Sequence, residues 1–141
     1  MPAQLNHTIV ATKDARPAAE WLAELLGLPP PFTFMDFQCV QTANGVTLDF
    51  LRCDEPFEVQ HYAFLVTEAE FDDVFDRIVA REITHWADPA RERAQQINHN
   101  DGGRGVYFKN PDGHLLEIIT RPYGSGPRGM VQRSPPVPRS K

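Results

Sequence analysis

The sequence has no excess of positive charge, no long apolar run and little cysteine. Among its 141 residues, 14 are Lys or Arg and 19 are Asp or Glu, so the net charge is −5. That balance argues against a nucleic-acid surface, and the apolar runs fall far short of the roughly 20 residues that a membrane-spanning helix needs. Since no secretory pattern is visible at the N-terminus, we expect a cytoplasmic protein whose two cysteines, Cys39 and Cys53, are free thiols.

The sequence does contain two pairs of polar residues that recur in matching contexts. His7 and His61 each stand near the start of a strand-like segment, 54 residues apart. Asp49 and Glu117 each lie on a strand-like segment that follows a glycine turn, 68 residues apart. A repeat of this kind indicates two related modules, with a modest insertion in the second.

The order of the segments predicts a strand, a helix and then about three strands, twice over. We place the first module at residues 1–54 and the second at residues 55–123. Residues 87–104 are polar and lack periodicity, which predicts a loop that acts as a functional lid. Residues 124–141 hold Gly, Pro, Ser and Arg with almost no apolar content, so we expect a mobile tail.

Both helices carry signals at their ends. In the first module, Asp14 is placed to cap a helix that Gly27 ends. In the second, Thr67 and Glu70 have the spacing of a capping box.

Strand alternation places the repeated histidines and carboxylates on apolar strand faces. A single buried histidine is more often a core residue with satisfied hydrogen bonds, and a single carboxylate is more often an ion-pair partner or an edge residue in solvent. These alternatives do not predict the same placement in two modules. A buried carboxylate also costs several kcal/mol unless it is paired or ligated, so the joint pattern favours one metal site shared by the modules.

The composition of this site leaves two kinds of chemistry open. Two histidines with one carboxylate form the facial triad that leaves metal positions free for oxygen and substrate. A fourth ligand, Asp49, would make a site closer to a Lewis acid. Because Asp is one methylene shorter than Glu, Asp49 can instead act from outside the ligand set, by orienting a metal-bound water or a ligand histidine.

Two further residues are candidates for proton transfer. Tyr107 precedes the closing turn on a strand next to that of Glu117, where it can donate a hydrogen bond, although a core tyrosine is an equal alternative. His99 lies in the 87–104 segment and can act as a mobile acid or base, with a solvated loop histidine as the alternative.

The double pattern resembles the vicinal oxygen chelate superfamily, which includes glyoxalase I, extradiol dioxygenases and the fosfomycin- and bleomycin-resistance proteins. The resemblance covers about residues 5–123, and its most specific motif is Asn-Pro-Asp-Gly-His-Leu-Leu-Glu at residues 110–117. The chain also resembles the small aromatic-polyketide oxygenases typified by the ring-cleaving dioxygenase of chartreusin biosynthesis. The stretches that carry this second likeness are residues 5–10, 44–50, 60–66 and 97–108.

The resemblance implies an α+β fold in which two βαβββ modules form a curved mixed sheet that cups a metal site. It places the metal ligands at His7, His61 and Glu117, and puts Asp49 where glyoxalase I has a glutamate. The implied activity is that of a dioxygenase, with Fe(II) as the first choice of metal and Mn(II), Zn(II) or Ni(II) as others. It would act on a small aromatic substrate with vicinal oxygens and on O₂, as a homodimer.

Two other functions fit the same resemblance. One is a glyoxalase-like isomerase or thiol transferase, which would use a redox-inert metal and need no oxygen. The other is a resistance protein that binds a planar drug without turnover. Because such binders typically lose metal ligands, the presence of His7, His61 and Glu117 weighs against the second alternative.

Overall fold

The computed structural model describes residues 2–126. The chain divides into two compact units, Met1–Phe57 and Glu58–Lys141. Of the tail predicted from residue 124 onward, all but residues 124–126 lie outside the described residues. Within residues 2–126, no helix is both long and apolar enough to cross a membrane.

The first unit is one helix with one mixed four-stranded sheet. Its elements are β1 (His7–Thr12), α1 (Ala15–Leu26), β2 (Phe32–Phe34), β3 (Phe37–Gln41) and β4 (Thr47–Arg52). The strand order is β1-β4-β3-β2, with β1 parallel to β4 and the other pairs antiparallel.

The second unit repeats this plan. Its elements are β5 (His61–Leu65), α2 (Glu68–Ala80), β6 (His85–Trp86), a 3₁₀ helix (Asn100–Gly102), β7 (Gly105–Lys109) and β8 (Leu115–Ile119). The strand order is β5-β8-β7-β6, again with one parallel pair, β5 with β8. The predicted α+β fold of two βαβββ modules is therefore confirmed.

The strand register shows that the repeat extends to single residues. In each unit the histidine opens the first strand, and its partner on the last strand lies two residues before the carboxylate, Asp49 or Glu117. These partners are Thr47 for His7 and Leu115 for His61. Asp49 and Glu117 also have equivalent neighbours on the antiparallel side, which are Cys39 and Tyr107.

Each helix buries an apolar stripe, and alternate strand residues are buried with it. The buried helical residues are Ala18, Ala19, Leu22, Ala23 and Leu25 in α1 and Phe71, Val74 and Ile78 in α2. The buried strand residues include Val10, Val40, Leu48 and Phe50 in the first unit and Val106, Phe108, Leu116 and Ile118 in the second. Since successive strand residues point to opposite faces, Asp49 and Glu117 lie on the other face of each sheet.

The helix ends follow the predicted signals, with one difference. Thr67 and Glu70 form the full capping box at the start of α2, and Gly27 ends α1 in the left-handed conformation with φ 69°. Asp14 occupies the N-cap position of α1, but its side chain makes no capping hydrogen bond. Its backbone N–H instead donates to the Thr12 hydroxyl.

The predicted lid, residues 87–104, is tied together by its own polar groups. The buried carboxylate of Asp88 accepts the backbone N–H groups of Glu92 and Arg93. The buried Asn98 donates its side-chain amide to the Ala87 carbonyl and exchanges backbone hydrogen bonds with Gly105. These bonds explain how a segment without periodicity is ordered, and its role as a lid stays a prediction.

Candidate functional site

His61 is held in one tautomer by the neighbouring strand. Its Nδ1 lies 3.0 Å from the Leu115 carbonyl oxygen, and because a carbonyl only accepts, the ring proton is on Nδ1. In the neutral ring, Nε2 then carries a free lone pair. This arrangement is typical of a metal-ligating histidine, whose other nitrogen donates to a backbone carbonyl.

Glu117 faces that lone pair. Its side chain is fully buried, and its Oε1 lies 3.2 Å from Nε2 of His61. Two acceptors at this distance repel each other unless a proton or a cation lies between them. Nitrogen and oxygen donors of this kind suit a transition metal, so the chemistry of the His61–Glu117 pair fits a metal ion.

Two tyrosines complete this cluster in the second unit. Tyr107 lies directly opposite Glu117 in the sheet, and its ring stacks with that of His61 at 6.0 Å between centroids. The Tyr107 hydroxyl is 2.8 Å from that of Tyr123, and Tyr123 donates a hydrogen bond to Oε2 of Glu117. Burial, followed by the hydrogen bonds to Glu117 and Tyr107, raises the pKa of Tyr123, so its phenol stays protonated as a donor.

Asp49 occupies the equivalent place in the first unit but has different surroundings. Its side chain is buried, and its Oδ1 has no hydrogen-bond partner among the described residues. Cys39 lies opposite it in the sheet. Burial first, and then the hydrogen bond and charge of Asp49, raise the pKa of the Cys39 thiol to about 11.

His7 is exposed at the start of β1, where its Nδ1 lies 2.8 Å from Oδ1 of Asn6. Because that amide oxygen accepts, His7 presents Nε2 as His61 does. Over residues 2–126, no three His, Cys, Asp or Glu side chains form a group that could hold a metal ion. The structure brings His61 and Glu117 together, and their convergence with His7 and Asp49 stays a prediction.

His99 is exposed immediately before the 3₁₀ helix, where its carbonyl accepts the Gly102 N–H at 3.3 Å. Its predicted role in proton transfer is not tested by this position. It stays a prediction.

Two residues of the second unit were not among the predicted site residues. Tyr123 contacts Glu117 directly, and Asp101 is buried beneath the segment that carries Tyr123. The available signal for Tyr123 is an aromatic residue between Pro122 and Gly124, shortly after β8. No sequence pattern links Asp101 to that turn.

Comparisons with known proteins agree with this fold. The solved structure of Oxidase ChaP-H1 is 54% identical, covers 87% of this chain and 99% of its own, and has a TM-score of 0.86. Oxidase ChaP-H2 is 53% identical over 90% of this chain and all of its own, with a TM-score of 0.87. The metallothiol transferase FosB of Lysinibacillus sphaericus is 25% identical, with 82% of this chain and 81% of FosB covered. Since the family model also matches residues 4–118, the chain belongs to the Glyoxalase/Bleomycin resistance protein/Dioxygenase superfamily.

Proposed function

We propose that this protein is an Fe(II)-dependent dioxygenase that cleaves or oxidatively rearranges a small aromatic substrate with vicinal oxygens. The ligands in this proposal are His7, His61 and Glu117. Mn(II), Zn(II) and Ni(II) are the other metals that such a donor set accepts.

The observation that carries the proposal is the His61–Glu117 pair. Nε2 of His61 and Oε1 of Glu117 are adjacent acceptors, and the ring is fixed through Nδ1. Two of the three ligands of a facial triad therefore lie side by side within one unit. His7 is assigned as the third ligand because it is equivalent to His61 in strand register and also presents Nε2. The similarity to two oxidases favours oxygen chemistry.

Bound Fe(II) would supply a redox-active centre with free positions for O₂ and for the substrate oxygens. The chain itself would orient the substrate and move protons. Because Tyr123 donates to Glu117, Tyr107 donates to Tyr123, and it would redirect this proton to a substrate oxygen when the substrate binds. Asp49, whose Oδ1 is an unfilled acceptor, would take the proton of a substrate hydroxyl. His99 would exchange that proton with solvent.

The test is anaerobic reconstitution with Fe(II), followed by oxygen-uptake assays on catechols, quinones and fused-ring aromatic compounds. We expect uptake with Fe(II), none with Zn(II), and none in a His61→Ala variant. Metal analysis of the same samples shows whether the site is filled. A filled site without uptake on any substrate would contradict the dioxygenase assignment.

A second candidate is a metal-dependent thiol transferase, which the similarity to FosB favours. This activity would consume a thiol with Mn(II) or Zn(II) bound and would proceed without oxygen. A drug-binding protein without turnover would instead bind planar molecules equally well with and without metal. Parallel assays under air and under argon distinguish these functions from the dioxygenase.

We further propose that the protein is a cytoplasmic homodimer. If the dimer builds the site from both chains, mixing the inactive variants His7→Ala and Glu117→Gln restores activity in the mixed dimers. If each chain builds its own site, the mixture stays inactive.

A further inference from the structure

Tyr123 connects the buried carboxylate of Glu117 to the surface of the second unit. Its side chain is half exposed, while Glu117 is fully buried. Its hydroxyl donates to Oε2 of Glu117 and lies 2.8 Å from the hydroxyl of Tyr107. None of the site residues predicted from the sequence performs this role.

The two oxygens of Glu117 therefore have different neighbours. Oε2 accepts a hydrogen bond from the phenol of Tyr123, whereas Oε1 lies 3.2 Å from Nε2 of His61. Only Oε1 lies beside a second atom that can bind the metal, Nε2 of His61. We infer that Tyr123 is a positioning residue that restricts Glu117 to one metal-binding oxygen, Oε1.

This restriction has a chemical consequence that rests on the proposed metal site. A carboxylate that binds through both oxygens occupies one more coordination position than a carboxylate that binds through one. Hydrogen-bonding partners of metal ligands orient them and tune their affinity. By holding Oε2, Tyr123 keeps one further position open for a substrate oxygen or for O₂.

Tyr123 is itself held by the 3₁₀ helix. The Asp101 carboxylate, which is 1% exposed, accepts the backbone N–H groups of Gly124 and Gly126, each at 3.2 Å. Gly126 lies so close to Asp101 that a Cβ there would meet the Asp101 Cα at 2.6 Å. These contacts of Asp101 with Gly124 and Gly126, which we call the clamp, hold the turn on the C-terminal side of Tyr123. Packing and hydrogen bonds therefore orient the phenol.

The test compares Tyr123→Phe, which removes only the hydroxyl, with Tyr62→Phe as a matched control. Tyr62 lies on β5 next to His61 but points to the opposite strand face, where its ring meets His114 edge-on. Both variants are loaded with Co(II), and the carboxylate stretching bands of Glu117 are recorded by infrared difference spectroscopy. A Glu117→Gln sample and ¹³C-labelled glutamate identify those bands.

We expect wide separation of the antisymmetric and symmetric bands in the wild type and in Tyr62→Phe, as one-oxygen binding gives. In Tyr123→Phe the separation narrows, because both oxygens reach the metal. Co(II) affinity falls about 10-fold, because the carboxylate must now be ordered on binding. Asp101→Asn, which weakens the clamp, shows the same narrowing to a smaller extent and serves if Tyr123→Phe does not fold.

Two results overturn the inference, and they differ from each other. If the wild type binds Co(II) in a Glu117-dependent way and Tyr123→Phe has the same band separation, Tyr123 does not position the ligand, and the proposed metal site stands. If the wild type binds no metal through Glu117, both the proposed function and the role of Tyr123 fail.

Discussion

The two units each place a carboxylate at the equivalent point of their own sheet and surround it differently. Glu117 is fully buried, faces His61 and accepts a hydrogen bond from Tyr123. Asp49 is buried as well, but its Oδ1 has no partner among the described residues. Six residues after Glu117 stands Tyr123, and six residues after Asp49 stands Glu55, whose carboxylate cannot supply the same donor.

This difference shows what a duplicated backbone does and does not determine. The register fixes which residues oppose one another, and it is the same in both units. Whether both oxygens of a buried carboxylate find hydrogen-bond donors depends also on side chains outside the paired strands, such as Tyr123. The second unit therefore has two adjacent metal donors and a hydrogen bond to Oε2 of Glu117. In the first unit, Oδ1 of Asp49 has no partner among the described residues, which costs stability.

The difference between the two carboxylates is tested most directly by substituting Glu117. We expect Glu117→Gln to weaken metal binding by at least about 100-fold, because a ligand is lost and ligand loss should exceed the 10–100-fold effect of an outer partner. Asp49→Asn is the matched variant, and its effect on affinity should stay within about 10–100-fold if Asp49 acts from outside the ligand set. Competition with a chromophoric chelator measures both. Equal losses would show that Asp49 is a ligand too.

The Cys39–Asp49 pair predicts a loss of stability at high pH that originates in the first unit. Because the pKa of Cys39 is raised from its ordinary value of 9.0 to about 11, the folded thiol stays neutral in this window, whereas the unfolded thiol ionises above 9.0. The folded state then binds more protons, so stability falls as pH rises through this window, by about 2 kcal/mol. Urea unfolding across the window measures this loss. In Cys39→Ala this part of the slope should disappear, and an unchanged slope would contradict the assignment.

At neutral pH, we expect removal of the two carboxylate charges to change the free energy of unfolding differently. Asp49→Asn should stabilise the protein by about 1–2 kcal/mol, because it removes a buried charge with an unfilled acceptor. Glu117→Gln should change it by less than about 1 kcal/mol, because the amide can donate to Nε2 of His61 while Tyr123 loses a charged partner. Chemical denaturation of the metal-free protein measures both. If both variants are destabilised, the unfilled Oδ1 is not a cost.

The smallest effect expected is at the helix starts. Thr67→Ala should cost about 1 kcal/mol, because it removes the capping box of α2. Asp14→Ala should cost less than about 0.5 kcal/mol, because the Asp14 side chain makes no capping bond in α1. Urea midpoints of the two single variants decide this, and an equal loss would indicate a capping bond at Asp14.

The parts of this structure that depend on short sequence patterns could be predicted. Alternation predicts that Glu117 projects from an apolar strand face, and the spacing of Thr67 and Glu70 predicts the start of α2. The equivalence of His7 and His61 follows from the repeated context of the two histidines.

The contacts that depend on irregular backbone could not be predicted. Tyr123 reaches Glu117 only because the turn at residues 122–126 folds back on the 3₁₀ helix. Asp101 has a positive φ of 58°, which no pattern in the neighbouring residues predicts. Asp14 has the residue type and the position of a cap, yet its N–H donates to Thr12 and its side chain caps nothing.

The clamp at Asp101 also limits how this chain can be shortened or joined to another protein. A chain that stops before Gly124 loses both N–H groups that Asp101 accepts, and leaves a carboxylate that is 1% exposed without those partners. Such a loss costs about 1–3 kcal/mol for an unsatisfied buried group. A fusion joined after residue 126 keeps the clamp. For protein engineering, Gly126 is therefore the earliest junction that keeps both of these hydrogen bonds.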